Sequence, residues 1–140
     1  MYQITPCAYI FTHVYLNTMQ QGIQSLHVVG NMFGKYTADT DGYKDVLDWA
    51  QNYKVVRILN GGGSPNFAKN MDDAFKIASL YALPYVNFVE PDLYEQTSAF
   101  GFILTPQTVH NIESERDYVD EPNRDDFDII KFLKQFNSAR

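Results

Sequence analysis

Cysteine and basic residues are scarce in this chain, and each shortage excludes a class of protein. Cys7 is the only cysteine among 140 residues, which excludes an intramolecular disulfide framework and any zinc site built on paired cysteines. A chain without disulfides is typical of a reducing compartment, so we expect a cytoplasmic protein. No window approaches the roughly 18 uninterrupted apolar residues of a membrane span, and the amino terminus lacks the features of a signal peptide. The sequence predicts a soluble protein without membrane contact.

Positive charge is missing from the first quarter of the chain. No Lys or Arg occurs before Lys35, and the formal net charge is −6. Proteins that bind nucleic acid by broad phosphate neutralisation carry clustered basic residues, so the composition disfavours that class. Eight of the 17 acidic residues crowd into positions 113–128, which predicts a solvated loop and, as a second interpretation, an interaction tail.

Hydrophobic residues make up 45% of the chain, enough for the core of one domain of this length. Residues 8–16 are aromatic and β-branched on both faces, which favours a strand in the middle of a sheet. Apolar spacing and turn residues define the other elements. In chain order, the predicted elements are strand 8–16, helices 22–36 and 41–51, strand 54–59, a helix capped by Asn70, strands 85–89 and 97–104, and a last helix at 126–136.

This element order predicts an α/β fold, with a small four-stranded mixed sheet, helices on both faces and an additional C-terminal helix. The third and fourth strands are expected to be antiparallel, because their connection is too short for a crossover. The predicted organisation is an α/β domain over 1–106, an acidic loop over 107–125, and a C-terminal amphipathic helix over 126–140. That helix is expected to pack on the domain or on a partner.

Three polar segments follow predicted strand ends, at 17–21, at the glycine loop from Asn60, and at 90–92. Ligands of open α/β sheets bind beyond the carboxyl ends of the strands, so we expect these segments to form one rim. The glycine loop fails the P-loop and dinucleotide fingerprints, since Asn66 and Phe67 stand where a P-loop carries its lysine and hydroxyl residue. Two interpretations remain: main-chain amides that hold an oxygen ligand, or a tight turn with positive φ.

The three histidines do not predict a metal site, because none has a Cys or His partner at ligand spacing. We therefore predict neither metal nor cofactor. His13 falls in the predicted central strand, where a packed core residue is expected. Gln24 and His27 share one helical face after the first strand, and they are either site residues or polar groups that bind neighbouring loops.

Several segments together resemble the type 2 peptidyl-tRNA hydrolases, including their shorter viral relatives. Residues 22–27, Gly-Ile-Gln-Ser-Leu-His, resemble the family's Ala-Ala-Gln-x-x-His segment after the first strand. The resemblance covers most of residues 8–106. It also includes Lys54 to Leu59 before the loop, Leu83-Pro84 before the third strand, Glu90-Pro91-Asp92, and Thr97-Ser98-Ala99.

The resemblance implies hydrolysis of the ester between a peptide and the terminal ribose of its tRNA, at a sheet-edge site without metal or cofactor. The family's site has an early lysine, a glutamine in the first helix, an aspartate after the third strand and a threonine at the fourth. These positions imply Gln24, Glu90 and Thr97 as catalytic residues. The lysine has no counterpart, because its place falls on Gln20 or Gln21. The residues implied to bind substrate are Gln20, Gln21, His27, Asn60, Gly61, Gly62 and Ser98.

Two functional hypotheses follow. The first is a hydrolase of peptidyl-tRNA, or of a related aminoacyl- or peptidyl-RNA, in which neutral amides replace the lysine. The second is a catalytically silent member of the fold that binds a protein or ligand as a regulatory or viral accessory factor. The expected partner is peptidyl-tRNA or a host protein. If the chain is viral, we expect it in the host cytoplasm. A homodimer is compatible with both functional hypotheses. The enzyme hypothesis would be favoured if basic residues lay together beside Gln24 and Thr97. The candidates are Lys54, Arg57, Lys69 and Lys76.

Overall fold

The computed structural model of the chain describes residues 4–63, 65–90, 96–118 and 129–136. Ten elements of regular structure follow one another along these residues. They are β1 (Cys7–Thr12), α1 (Thr18–Lys35), α2 (Tyr43–Asp48), a π-helical turn (Trp49–Tyr53), β2 (Val56–Asn60), α3 (Asn66–Leu80), β3 (Tyr85–Glu90), β4 (Gln96–Leu104), α4 (Pro106–Tyr118) and α5 (Ile129–Lys134).

The four strands form one mixed sheet in the order β2-β1-β4-β3. β1 pairs in parallel with β2 and antiparallel with β4, and β3 is antiparallel to β4. β1 therefore lies inside the sheet with all six of its residues buried, as its doubly apolar sequence predicts. The prediction of an α/β protein with a four-stranded mixed sheet is confirmed.

Helices cover both faces of this sheet, because alternate residues of β1 supply two separate apolar clusters. Tyr9 and Phe11 belong to the first cluster, which α3, α4 and α5 complete. Ala8 and Ile10 belong to the second cluster, against which α1, α2 and the π-helical turn pack. We call these the α3 face and the α1 face of the sheet.

The predicted acidic loop at 107–125 is wrong at its beginning, where α4 runs from Pro106 to Tyr118. Proline is favoured in the first turn of a helix, since the amide that it lacks would have no intrahelical partner there. Thr105 precedes it, and its Oγ1 accepts a hydrogen bond from the Thr108 amide at 3.1 Å. Pro106 therefore begins a helix as well as ending β4.

Local contacts also move other predicted boundaries. α3 begins at Asn66 rather than at Asn70. The side-chain Nδ2 of Asn70 donates to the Gly61 carbonyl at 3.0 Å, so this side chain does not cap the helix. β1 ends at Thr12, so His13 lies just after the strand and not within it. α1 begins four residues before its predicted start, because Asn17 caps it.

Parts of four predictions lie outside the described residues: Ser64 of the glycine loop, the loop at 91–95, the acidic positions 119–125, and both ends of the last helix at 126–128 and 137–140. The described part of that helix, α5, packs on the α3 face through Ile129, Ile130, Phe132 and Leu133. Among the described residues, no helix has the length and apolar content needed to cross a membrane.

Candidate functional site

β1, β2 and β3 run in the same direction, so their carboxyl ends meet at one edge of the sheet. These ends are Thr12, Asn60 and Glu90, and the antiparallel β4 starts beside them. The main-chain amide of Gly61 donates to the Thr12 carbonyl, and that of Val14 donates to the Gly62 carbonyl. The strand ends thus form a single rim with the glycine loop.

At the rim, Gln24 links α1 to the ends of β3 and β4. Its Nε2 donates to Glu90 Oε2 at 2.8 Å, and its Oε1 accepts from Ser98 Oγ at 2.6 Å. Gln24 and Ser98 are buried, at 6% and 1% exposure. Three residues that the family resemblance implies are therefore joined side chain to side chain, and their roles stay a prediction.

An irregularity in the sheet accompanies the position of Ser98. Phe88 pairs with Ala99 while Val89 pairs with Thr97, so Ser98 has no opposite residue on β3. Such a bulge redirects a side chain, and here the Ser98 hydroxyl reaches the α1 face. Thr97 is half-buried beside it, and no described residue hydrogen-bonds its side chain.

Most buried polar side chains outside α4 gather under the first turns of α1. Thr12 lies on the α1 face, two residues after Ile10, with its hydroxyl fully buried and unpartnered among the described residues. Ser25 Oγ donates to the Gln21 carbonyl at 2.7 Å. Thr12 and Ser25 were not predicted from the sequence, since a single hydroxyl in an apolar run carries no pattern.

Gln20 and Gln21 support the start of α1. The Gln20 Oε1 accepts from the Asn17 amide at 2.9 Å while the Asn17 Oδ1 accepts from the Gln20 amide at 2.8 Å, which forms a capping box. The Gln21 Nε2 donates to the Leu16 carbonyl at 3.0 Å from a buried position. Both side chains that stand where the family carries its lysine therefore bind the chain's own helix start.

The glycine loop forms a turn. Gly62 has φ +91°, a conformation that glycine adopts without strain, and its amide donates to Asn60 Oδ1 at 2.9 Å. The Gly61 amide is bonded to Thr12 as described above. These contacts favour the interpretation of a tight turn over that of an amide cradle for a ligand.

The histidines of this region pack against aromatic rings. His27 is exposed on α1 and stacks on Phe88, with ring centroids 4.3 Å apart. His13 lies between Tyr15 and Phe67, each at 5.0 Å between centroids. Burial lowers the pKa of His13, because the imidazolium loses solvation there. Within the described residues, no group of three or more His, Cys, Asp or Glu side chains is placed to hold a metal ion.

The cations that would favour an enzyme do not converge on Gln24. Lys69 and Lys76 bind Asp73 and Asp72 on α3, at 2.8 and 2.9 Å. α3 lies on the opposite face of the sheet from Gln24. Lys54 precedes β2 and Arg57 Nη2 lies 3.4 Å from Thr5 Oγ1, both towards the beginning of the strands.

A broad groove lies away from the rim. It has a volume of about 610 Å³ between α1 and α3 and is lined by Asn31, Lys35, Met71 and Phe75 among others. Lys35 Nζ donates to the Tyr85 carbonyl at 2.9 Å on its floor, at the start of β3. None of the predicted site residues lines this groove.

No protein-family model matches this chain, and no curated protein matches it either. The arrangement of the rim is therefore the basis for inferring a function.

Proposed function

We propose that this chain is a catalytically silent binding protein whose rim holds a partner with an apolar or basic surface. The observation that carries the proposal is the placement of basic residues away from Gln24, since Lys69 and Lys76 pair with acidic residues of α3 and Arg57 lies beside Thr5. By the resemblance to type 2 peptidyl-tRNA hydrolases and their viral relatives, such a protein acts as a regulatory or accessory factor.

Ester hydrolysis requires donors that stabilise the oxyanion formed when water attacks the carbonyl. Removing one donor from a preorganised site costs on the order of 10²-fold or more in rate. Here Gln20 binds the Asn17 amide, and the amides of Gly61 and Gly62 bind Thr12 and Asn60. Gln24 uses both ends of its amide in the contacts with Glu90 and Ser98.

The rim presents aromatic and acidic groups instead. Tyr15 is 81% exposed, stacks on His13, and follows Val14, which is 43% exposed. Exposed tyrosines are common centres of protein interfaces, because they bring large area at small cost in side-chain entropy. Together with Glu90 and a net charge of −6, this surface favours a basic or apolar partner and repels an RNA backbone.

A release assay with labelled peptidyl-tRNA tests the proposal. We expect no release above background from the wild-type chain or from Gln20→Lys, with an active enzyme of the family as positive control. Turnover on the order of 1 per second or faster, abolished by Thr97→Ala or Glu90→Gln, would contradict the proposal and establish the enzyme.

Peptide display on the folded chain tests the binding surface. We expect the enriched sequences to be rich in Lys, Arg and aromatic residues, and to lose binding to Tyr15→Ala. The matched control is Phe75→Ala, because Phe75 is an aromatic residue of α3 that is 52% exposed and lies away from the rim. Enrichment that is identical on both variants and on the wild type would contradict a role for the rim.

A second candidate, hydrolysis of the peptidyl-tRNA ester, is supported by the linked Glu90, Gln24 and Ser98 side chains. In that mechanism Glu90 accepts a proton from water that Thr97 orients, and the water oxygen attacks the ester carbonyl. The bond to the ribose oxygen then breaks as that oxygen takes the proton from Glu90, which returns the carboxylate to its starting state. Under this hypothesis Gln20→Lys raises turnover, because it adds a charged donor to the oxyanion.

A further inference from the structure

The solvent side of α1 carries a stripe of exposed apolar residues, although a surface helix normally presents polar residues there. Met19 is 76% exposed, Leu26 70%, and Ile23 and Phe33 47% each. Gly22, Gly30 and Val29 lie with them at three- and four-residue spacings, and the half-buried Val29, at the edge of this set, also packs against the second cluster. We call this set the α1 stripe. It lies opposite the residues of α1 that are buried against the sheet: Gln21, Gln24, Ser25, Val28 and Met32.

The α1 stripe lacks charge as well as polarity. No Asp, Glu, Lys or Arg precedes Lys35, although the whole chain carries a net charge of −6. Two acidic copies of the chain repel each other over most of their surfaces, and this repulsion is weakest where both present a neutral face. The stripe is therefore the surface through which a second copy can approach.

The order of residues in the stripe is symmetric about Leu26. Seven residues away on either side stand Met19 and Phe33, both large and apolar. Four residues away stand Gly22 and Gly30, and three residues away stand the β-branched Ile23 and Val29. In a two-fold antiparallel helix pair centred on Leu26, residues at equal distances before and after the axis face each other, so small residues would meet small ones and large residues large ones.

We infer that the α1 stripe is the interface of a symmetric homodimer in which two copies of α1 cross antiparallel at Leu26. Leu26 of one copy packs beside Gly22 and Gly30 of the other, where the missing side chains let the helices approach closely. A Cβ added at either glycine meets no atom within 4 Å apart from the adjacent residues and backbone of its own helix, so the space there is open. Met19 faces Phe33 of the second copy, where crossing helices diverge and large side chains fill the gap.

The size of the stripe indicates a dimer that depends on concentration. Its large side chains expose on the order of 400 Å² per copy, since a large side chain carries roughly 150–250 Å². With the glycine backbone and flanking residues, the pair buries about 1,000 Å², near the lower limit of specific interfaces. We expect a dissociation constant in the micromolar range.

The inference is independent of the proposed function, because the stripe and the buried side chain of Gln24 are on opposite sides of α1.

Analytical ultracentrifugation tests the dimer by measuring the molar mass over a wide range of protein concentration. The wild type is compared with the variants Leu26→Lys and Leu80→Lys. Leu80 is the matched control, because it is 60% exposed at the end of α3. We expect the wild type and Leu80→Lys to dimerise and Leu26→Lys to stay monomeric with an unchanged circular dichroism spectrum. We also expect salt to strengthen the wild-type dimer by screening the repulsion between acidic copies. A wild type that is monomeric at every concentration overturns the inference, as does a dimer that Leu26→Lys leaves intact.

Charge exchange tests the antiparallel register. Met19→Lys and Phe33→Glu should each weaken the dimer, and the double variant should regain affinity by at least about tenfold, because each Lys then faces a Glu of the other copy. A parallel pair gives no recovery, and neither does binding of an unrelated partner.

Disulfide trapping gives a second measure of the same register. Leu26→Cys should cross-link to itself on the two-fold axis, while Phe75→Cys, at an exposed position on α3, should not. Cys7 does not compete, because it is fully buried and burial raises its thiol pKa to about 11. Equal cross-linking of the two variants overturns the proposed axis.

Discussion

Gln24 and Glu90, which are 66 residues apart in the chain, form a hydrogen bond of 2.8 Å that ties the first helix to the end of the third strand. The other end of the Gln24 amide accepts from Ser98, so one side chain connects three elements at the rim. A buried amide with both ends bonded holds its surroundings in one arrangement, because any rearrangement leaves polar atoms unsatisfied. Gln24 therefore has a structural role whatever the rim binds.

Replacing Gln24 with leucine removes both hydrogen bonds while keeping similar volume. Ser98 loses the acceptor of its buried hydroxyl, and an unsatisfied buried polar group costs roughly 1–3 kcal/mol. We expect the free energy of unfolding, measured by urea denaturation, to fall by about 2 kcal/mol. Gln51→Leu is the control, because Gln51 is exposed in the π-helical turn and its replacement should change stability by less than about 0.5 kcal/mol. Equal losses in the two variants would contradict this role of Gln24.

The space beside Gly101, between β4 and β1, leaves no room for a side chain. A Cβ at this position would lie 2.7 Å from the Tyr9 carbonyl oxygen and 3.2 Å from Val28, and main chain cannot move aside cheaply. We expect Gly101→Ala to destabilise the protein by about 2 kcal/mol or more. Gly34 is helical, and a Cβ added there meets no atom within 4 Å apart from the adjacent residues and backbone of its own helix, so Gly34→Ala should instead stabilise by roughly 0.5–1 kcal/mol. Thermal denaturation of dilute protein compares the two variants.

The sheet was predictable because its strands carry strong local signals. β1 is apolar on both faces, which is typical of a strand that is covered on both sides, and the short β3-β4 connection permits only an antiparallel pair. The sequence does not predict α4, because its described residues bring only Val109 and Ile112 to the core and because Pro106 also marks the end of a strand.

The candidate site was less predictable than the sheet. The positions of Gln24 and Glu90 follow from the strand ends, but the inclusion of Ser98 depends on a bulge that leaves no pattern in the sequence. The two glutamines at the lysine position illustrate the same limit. Their partners, Asn17 and Leu16, are close neighbours in the chain, yet only the coordinates show that the side chains turn towards them.

Asn17 determines where α1 begins, and this role can be measured. The capping box with Gln20 satisfies main-chain amides that would otherwise have no partner at the first turn. We expect Asn17→Ala to lower the free energy of unfolding by about 1 kcal/mol, whereas the neighbouring exposed Thr18→Ala should change it by less than about 0.5 kcal/mol. Because α1 carries Gln24, hydrogen exchange of the Gln24 and Ser25 amides should also accelerate in Asn17→Ala alone. Unchanged exchange there would show that the cap does not support the site.

His13 gives the rim a dependence on pH whose sign follows from its surroundings. Burial lowers its pKa below the usual 6.5, and its Nδ1 accepts a hydrogen bond from the Tyr15 amide at 3.4 Å that protonation removes. The folded chain therefore binds this proton more weakly than the unfolded chain does. The stability that neutral His13 supports is complete above about pH 6.5 and declines as the pH falls through its lowered pKa.

His13→Phe keeps a ring against Tyr15 and Phe67 but cannot be protonated, so its free energy of unfolding should decrease less steeply than that of the wild type between about pH 7 and pH 5. Urea titrations of both proteins across that range provide the measurement, and parallel pH profiles would show that His13 does not couple protonation to the stability of the rim.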